Sequence, residues 1–210
     1  MALRVLHLPF PDANEMNAYL AWCPREGTGV LVDPGAWDRK ATDRVRATGA
    51  EVSTILLTHS HWDHTGGLME AQETFEAPVA ASRAALATVR GEHPGLVEGR
   101  ELSEGDVLEV GGHLGRVYEV PGHIDDQVVV HVEGHLLAGD TLFAAALGGT
   151  ADEEAFHQQV FRLRRVLAHL PDDAVVHPGH GPVTQAGLER IFNPFLKGTE
   201  PRWKRALGGW

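Results

Sequence analysis

The sequence predicts an α/β fold in which two β-sheets pack face to face and helices cover their outer faces. Short apolar segments with strand character form two separate runs, and segments with helical periodicity accompany both runs. Short motifs rich in histidine, aspartate and glycine follow several of these strands. Two strand runs with neighbouring helices are typical of a layered α/β domain, and the motifs rank this architecture above other α/β arrangements.

The first run of predicted strands covers residues 4–8, 19–23, 30–32 and 52–58. Its last member is largely apolar, which is typical of a strand covered on both faces. Trp37, Ala41 and Val45 recur at helical spacing, and Gly49 stands where this helix would stop. Two further helices are predicted after the fourth strand, at about residues 67–75 and at residues 82–89.

The second run of predicted strands covers residues 107–110, 114–120, 127–132 and 136–138. A long helix follows at residues 153–170, with an apolar stripe that consists of Phe156, Val160, Leu163, Leu167 and Leu170. Thr150 and Glu153 have the spacing of a capping box at its start. A strand at residues 174–177 and a helix at residues 185–192 complete the predicted elements.

Length and composition place the chain among ordinary globular proteins. Its 210 residues suit one domain spanning residues 1–210. The N-terminal residues lack a basic segment followed by a long apolar run, and no apolar stretch approaches the ~20 residues that cross a bilayer. Cys23 is the only cysteine, so an intrachain disulfide is excluded. A cytoplasmic location without a membrane partner is therefore expected.

The charge balance argues against a nucleic-acid partner. The formal net charge is −11, whereas proteins bind nucleic acids largely by neutralising phosphates. One basic cluster, with Lys197, Arg202, Lys204 and Arg205, stands near the C-terminus and is expected to be a solvated tail. We therefore expect a small-molecule substrate, while the oligomeric state stays open, a homo-oligomer included.

A cluster of metal-binding residue types follows the strand predicted at residues 52–58. His59, His61, Asp63 and His64 are four such residues within six positions. Alternate side chains of an extended segment share one side, so His59 and His61 can meet one ion. Asp63 and His64 fall where the chain turns into a helix, from which they can face a second ion. The pattern predicts a metal site rather than a polar loop with surface histidines.

Three further motifs follow predicted strands: Pro121-Gly122-His123, Leu137-Ala138-Gly139-Asp140-Thr141 and His177-Pro178-Gly179-His180-Gly181. Together with the cluster at residues 58–67, they resemble the signature motifs of the metallo-β-lactamase superfamily, in the same order and across most of the chain. The resemblance implies the αββα sandwich of that family, in which helices flank two mixed β-sheets.

The resemblance also implies a dinuclear metal centre. One metal is then bound by His59, His61 and His123, the other by Asp63, His64 and His180, and Asp140 bridges the two. Zinc is the first expectation for both divalent ions, with iron or manganese as alternatives, because imidazole and carboxylate suit all three. Asp63 has a second, catalytic role, in which it orients the attacking water. His177 is left out of the site, and Asp33 is either a support for the metal loop or a turn aspartate.

Residues 139–143 and 180–196 resemble short bacterial glyoxalase II-like proteins, which implies hydrolysis of a thioester or a similar acyl bond. One departure leaves alternatives open. Ile124-Asp125-Asp126-Gln127 stands where glyoxalase-like proteins usually have Thr/Ser-Pro-Gly, and its Asp-Asp pair is similar to endoribonucleases of the β-lactamase-like 2 type. A mono-iron persulfide dioxygenase is another alternative. A non-catalytic metal-binding protein is the least expected, because every ligand position is filled.

Overall fold

The structure, a computed structural model, describes residues 2–197 as two six-stranded β-sheets with helices beside them. The first sheet and its helices comprise β1 (Arg4–Phe10), β2 (Met16–Cys23), β3 (Thr28–Val32), α1 (Arg39–Arg46), β4 (Glu51–Leu56), α2 (Trp62–Thr65), α3 (Leu68–Phe75), β5 (Val79–Ser82), α4 (Arg83–Glu92) and β6 (Glu98–Leu102). The second group comprises β7 (Val107–Val110), β8 (His113–Glu119), β9 (Val128–Val132), β10 (His135–Gly139), α5 (Glu153–Ala168), β11 (Val175–Pro178), β12 (Thr184–Gln185) and α6 (Ala186–Phe192).

Both sheets contain parallel and antiparallel neighbours. In the first sheet β1, β2 and β3 pair antiparallel, whereas β3, β4, β5 and β6 pair parallel. In the second sheet only β10 and β11 pair parallel. This arrangement confirms the predicted α/β sandwich of two mixed sheets flanked by helices.

Apolar side chains form three layers in this sandwich. The middle layer lies between the sheets and includes Val30, Leu56, Val130 and Leu137. The first outer layer packs α1, α3 and α4 on the first sheet, and the second packs α5 on the second sheet. All five residues of the predicted α5 stripe are buried, which confirms its orientation. Each fully buried leucine or valine contributes about 1.5–3 kcal/mol to stability.

The start of α5 differs from the prediction. Thr150 and Glu153 do not form a capping box, because the helix begins at Glu153 and its N-cap is Asp152. The Asp152 carboxylate accepts a hydrogen bond of 2.9 Å from the backbone N–H of Ala155. The Thr150 hydroxyl instead donates to the Asp152 carbonyl at 3.2 Å. The predicted capping box was therefore wrong.

Strands β5, β6 and β12 were not predicted, whereas α2 lies where the sequence predicted that the chain turns into a helix. Strand β6 lies at the edge of its sheet, and four of its five residues are exposed, so it lacks an alternating apolar pattern. Strand β5 is buried but rich in alanine, which has little strand propensity. Within residues 2–197, no helix is long and apolar enough to span a membrane. The predicted basic tail lies largely beyond residue 197, outside the described residues.

The topology brings the motif-bearing loops to one edge of the sandwich. Strands β8, β10 and β11 run in the same direction, because β8 and β10 are both antiparallel to β9 and β10 is parallel to β11. The loops after these strands contain His123, Asp140 and His180. The loop after β4 of the other sheet faces them and contains the first histidine motif.

Candidate metal centre

The structure brings the side chains of all seven predicted ligands together. Six of them form two groups, in each of which the ligand atoms lie within 4.8 Å of one another: His59, His61 and His123 in one, and Asp63, His64 and His180 in the other. This is the grouping that the family resemblance implies. That these side chains bind metal ions stays a prediction.

Three imidazoles converge in the first group. The Nδ1 atom of His61 lies 3.1 Å from Nε2 of His59 and 2.9 Å from Nε2 of His123. Nitrogen lone pairs at such separations repel one another unless a proton or a cation lies between them. The group therefore has the residue types and the spacing of a site for a divalent cation.

The Asp140 carboxylate lies between the two groups. Its Oδ1 is 3.2 Å from Nε2 of His64, and its Oδ2 is 3.5 Å from Nε2 of both His123 and His180. Asp63 contacts only the second group, where its Oδ2 is 3.2 Å from Nε2 of His180. Asp140 thus occupies the position expected of a bridging ligand.

The outer ring nitrogens of three histidines are held by hydrogen bonds. Nδ1 of His64 is 3.0 Å from the Asp33 carboxylate, Nδ1 of His123 is 2.7 Å from the Gly149 carbonyl, and Nδ1 of His180 is 2.8 Å from the Asn14 carbonyl. Each acceptor favours a proton on Nδ1, which directs the Nε2 lone pair into the centre. Metal-binding histidines are commonly oriented in this way.

Two buried atoms at the centre show that the residues fit metal ions. Nε2 of His64 and Oδ1 of Asp140 are buried, and apart from their contact of 3.2 Å with each other neither atom has a hydrogen-bond partner. A buried polar atom without a hydrogen bond lowers the stability of the folded protein, and a coordinated cation would provide a partner for both atoms. Gly179 leaves the necessary space, because a Cβ there would lie 2.1 Å from Oδ1 of Asp140 and 2.6 Å from the His64 ring.

The charges around the buried His64 ring also favour a cation. Burial disfavours its charged form, but the carboxylates of Asp140 and Asp33 outweigh burial and raise the pKa of His64 well above its ordinary value. Burial raises the pKa of Asp140, but the neighbouring imidazoles, His64 first, outweigh burial and lower it below its usual value. The buried carboxylates thus create a negative potential that a divalent ion would neutralise.

Asp33 supports the loop of the first histidine motif. Of the two interpretations of the sequence, a support for the metal loop or a turn aspartate, the structure favours the first. Its Oδ1 accepts from the backbone N–H of Thr58 at 2.7 Å, and its Oδ2 accepts from the Thr58 hydroxyl at 2.6 Å. Asp33, His59 and His64 also form a compact group of metal-binding residue types. The Asp33 oxygens are already used by Thr58 and His64, so we do not assign a third ion there.

A cavity of about 620 Å³ opens above the centre. His61, Asp63, His123, Asp140 and His180 line its floor. Phe143, Ala144 and Ala146 form an apolar wall, and Asn14, Glu15 and Pro182 also line the cavity. A small substrate in this cavity would touch the predicted ligands and the apolar wall together.

Helix α6 holds the apolar wall in place. The buried Glu189 carboxylate accepts hydrogen bonds from the Ala145 backbone N–H at 3.0 Å and from the Thr184 hydroxyl at 2.7 Å. The Asn193 amide donates to the Ala146 carbonyl at 3.1 Å and to the Glu189 carboxylate at 2.8 Å. These contacts compensate the positive φ of 59° at Ala145, which is unfavourable for a residue with a Cβ.

Sequence reasoning missed Asn14, whose carbonyl orients His180. Asn14 and Glu15 both have positive φ angles, 58° and 54°. Asparagine tolerates this conformation in turns, and this preference is the only sequence signal for the position. His177, which sequence reasoning left out, lies away from the two groups and contacts His135 and Tyr19 instead.

Comparison with known proteins adds a family match and related structures. The family model described as Metallo-beta-lactamase superfamily matches residues 13–180. The probable metallo-hydrolase YqgX of Bacillus subtilis is 32% identical over 188 residues, which cover 80% of this chain and 87% of that protein. The hydroxyacylglutathione hydrolase GloC of Haemophilus influenzae is 26% identical over 203 residues, which cover 88% of this chain and 94% of that protein.

A solved structure, described as TTHA1623 in a di-iron-bound form, is similar to this chain along nearly its whole length. The two share 31% sequence identity and superimpose with a TM-score of 0.71. The match covers 91% of this chain and 100% of the other. The chain is thus similar in fold to a protein that holds two iron ions.

Proposed function

This chain belongs to the metallo-β-lactamase superfamily and is a metallo-hydrolase, and from that premise we propose that it hydrolyses a thioester or a similar acyl bond at a dinuclear centre. The observation that carries the proposal is the placement of both ligand groups, with Asp140 between them, on the floor of one cavity. The similarity to a hydroxyacylglutathione hydrolase supports the choice of a thioester.

The proposed chemistry needs few groups besides the metal ligands. Two divalent ions held by the seven residues would supply a nucleophilic water near neutral pH and polarise the carbonyl oxygen of the substrate. Asp63 lines the cavity floor, and its carboxylate accepts hydrogen bonds, so it can orient the attacking water. Water adds through its oxygen to the carbonyl carbon and the C–S bond breaks, with its electron pair leaving on the sulfur, so that a carboxylate and a thiolate form and the two protons of the water pass to solvent. A thiolate leaves without a strong general acid.

The cavity wall suits an apolar acyl group. Phe143, Ala144 and Ala146 are partly exposed to the cavity, where an acyl chain would remove their apolar surface from water. Glu15 is the one carboxylate outside the metal cluster among the described lining residues. We therefore propose a small-molecule thioester whose acyl part is uncharged.

Activity assays with metal-loaded protein test the proposal. We expect kcat/KM on acyl-glutathione or acyl-coenzyme A to exceed that on unstructured RNA or on glutathione persulfide by at least about a hundredfold, with Asp63→Ala as the blank. Metal analysis of the same samples should give about two ions per chain. RNA cleavage that vanishes in the blank, without thioester turnover, would favour the endoribonuclease alternative. One iron per chain with persulfide oxidation would favour the dioxygenase.

A further inference from the structure

We propose that Asp126 and Gln127 connect three of the predicted metal-binding loops, and that Gln127 is a positioning residue for Asp140. Both residues belong to the segment that departs from the usual glyoxalase-like pattern, and neither belongs to the predicted ligand set. The inference rests on the proposed metal centre but is independent of the proposed substrate.

Gln127 holds the backbone of the Asp140 loop. It is buried, and in the orientation that satisfies its neighbours its amide oxygen accepts from the backbone N–H groups of Asp140 at 2.8 Å and Thr141 at 3.0 Å. Gly139 makes this close approach possible, because a Cβ there would lie 3.0 Å from the Gln127 amide and 2.3 Å from the Thr58 hydroxyl. The position of the Asp140 carboxylate therefore depends on the Gln127 side chain.

The same segment contacts the loops of the first and second motifs. A carboxylate oxygen of Asp126 lies 3.4 Å from the backbone N–H of Ser60, which stands between His59 and His61. The backbone N–H of Val128 donates to the Thr58 carbonyl at 2.8 Å. The Gln127 carbonyl accepts from Val120 at 3.0 Å, at the end of the strand that precedes His123.

These contacts join parts of both sheets. Thr58 and Ser60 follow β4 of the first sheet, whereas Asp140 follows β10 of the second. An apolar side chain in place of the Gln127 amide would remove the acceptor of the Asp140 N–H, whereas the Thr141 N–H would keep its hydrogen bond of 3.2 Å to the Ala138 carbonyl. We expect the loop to shift when this acceptor is lost, so that Asp140 no longer lies between the two ligand groups.

Substitution of Gln127 with readouts on metal binding and on the metal-free protein tests this inference. Gln127→Met keeps the shape and removes the acceptor, and Gln127→Glu restores an acceptor oxygen. We expect Gln127→Met to bind cobalt or zinc about 10- to 100-fold more weakly and to change the visible spectrum of the cobalt-loaded protein, with recovery in Gln127→Glu. In metal-free protein, amide exchange at Asp140 should be faster in Gln127→Met than in wild type, because the Gln127 oxygen is the acceptor of this N–H group.

Gln72→Met is the matched control. Gln72 is also buried, and its amide makes three hydrogen bonds to backbone groups of Ala77 and Val97, away from the centre. We expect this variant to lose stability but keep the metal affinity and the cobalt spectrum of wild type. If Gln127→Met does not fold, Gln127→Asn serves instead, because it retracts the amide by one methylene.

The outcomes separate this inference from the proposed centre. A Gln127→Met or Gln127→Asn protein with wild-type cobalt affinity and spectrum would overturn the positioning role. Equal weakening in Gln72→Met would also overturn it, because the effect would then be general destabilisation. A wild-type protein that binds neither cobalt nor zinc would overturn the proposed centre itself, and the positioning role with it.

Discussion

The Asp140 carboxylate contacts histidines of both ligand groups. It lies within 3.5 Å of His64, His123 and His180, whereas Asp63 contacts His180. We expect Asp140→Ala to lose most of both ions, and Asp63→Ala to keep at least the ion of the three-histidine group. Metal analysis after dialysis against metal-free buffer measures the difference.

Asp43→Ala provides the control, because Asp43 is an exposed aspartate on α1 and its contact is an ion pair with Arg39. It should retain the wild-type metal content. Equal loss of both ions in Asp140→Ala and Asp63→Ala would contradict the bridging position of Asp140.

His177 is a buried histidine outside the centre, and its lowered pKa predicts that the fold is sensitive to acid. Burial first, followed by the charges of His135 and His7, lowers the pKa of His177 from 6.5 to about 3. As the pH falls from 6.5 towards 3, the unfolded chain binds a proton at this residue that the folded protein does not, so stability decreases. From this pKa we expect the free energy of unfolding at pH 4 to be lower by about 3 kcal/mol because of His177.

We therefore expect His177→Gln to have a flatter dependence of stability on pH. Urea unfolding of metal-free protein at pH 7 and pH 4.5 should show a smaller difference for this variant than for wild type. His157→Gln is the control, because His157 is exposed on α5. Identical pH dependence in wild type and His177→Gln would rule out His177 as a source of the acid sensitivity.

Among the elements, helix α6 has a role that its length does not suggest. It has seven residues, yet its Glu189 holds the loop that forms the apolar wall of the cavity. This carboxylate accepts hydrogen bonds from a backbone N–H, a hydroxyl and a side-chain amide. In a glutamine one of the two oxygens is replaced by an NH2 group, which would face one of these donors and could not accept from it. We expect Glu189→Gln to lower the free energy of unfolding by about 1–3 kcal/mol and to raise KM more than it lowers kcat.

Unfolding by urea and steady-state kinetics measure these two effects. Glu154→Gln, on the exposed face of α5, is the matched control and should change neither quantity. Metal content should stay at the wild-type level in both variants. Loss of metal from Glu189→Gln would show that α6 supports the centre rather than the cavity wall.

Elements were predictable where a periodic apolar pattern marks the buried face, and they were missed where the sequence lacks such a pattern. Helix α5 has sixteen residues and a continuous apolar stripe, so its period is plain in the sequence. Strand β6 reads Glu98-Gly99-Arg100-Glu101-Leu102 and is recruited by pairing with β5 at the edge of the sheet. Hydrogen bonding between backbones does not require a particular pattern of side chains, so the sequence of this strand does not indicate that it pairs.

At the scale of the whole molecule, the predicted centre joins the two sheets. The loop after β4 and the helix α2 that follows it supply four of its residues, and loops of the second sheet supply His123, Asp140 and His180. Metal ions that bind only the folded protein should therefore stabilise it by about 4 kcal/mol per site at a thousandfold excess over the dissociation constant. This corresponds to a rise in Tm of roughly 8 °C or more per site.

Thermal unfolding with added zinc, manganese or iron, and after removal by a chelator, measures this shift. Asp140→Ala should show a much smaller rise than wild type at the same metal concentration. An unchanged Tm in wild type under saturating metal would argue against ions that join the sheets.

The amino-acid sequence by itself determined the fold class and the chemistry of the candidate ligands. Residues 58–67 place four candidate ligands at one strand end and one helix start, so local geometry keeps these four residues close together. The order of the four motifs then identified the family. These inferences succeed because the information lies within short segments or in their order.

Only the tertiary structure decided how the ligands are oriented and which cavity they face. The Asn14 carbonyl meets His180 across 166 positions of sequence, and Asp126 meets Ser60 across 66. The roles of Gln127 and Glu189 likewise depend on backbone groups that other loops bring to them. A backbone N–H or carbonyl is common to nearly every residue, so its partner is selected by the packing of the two sheets and cannot be read from side-chain identity.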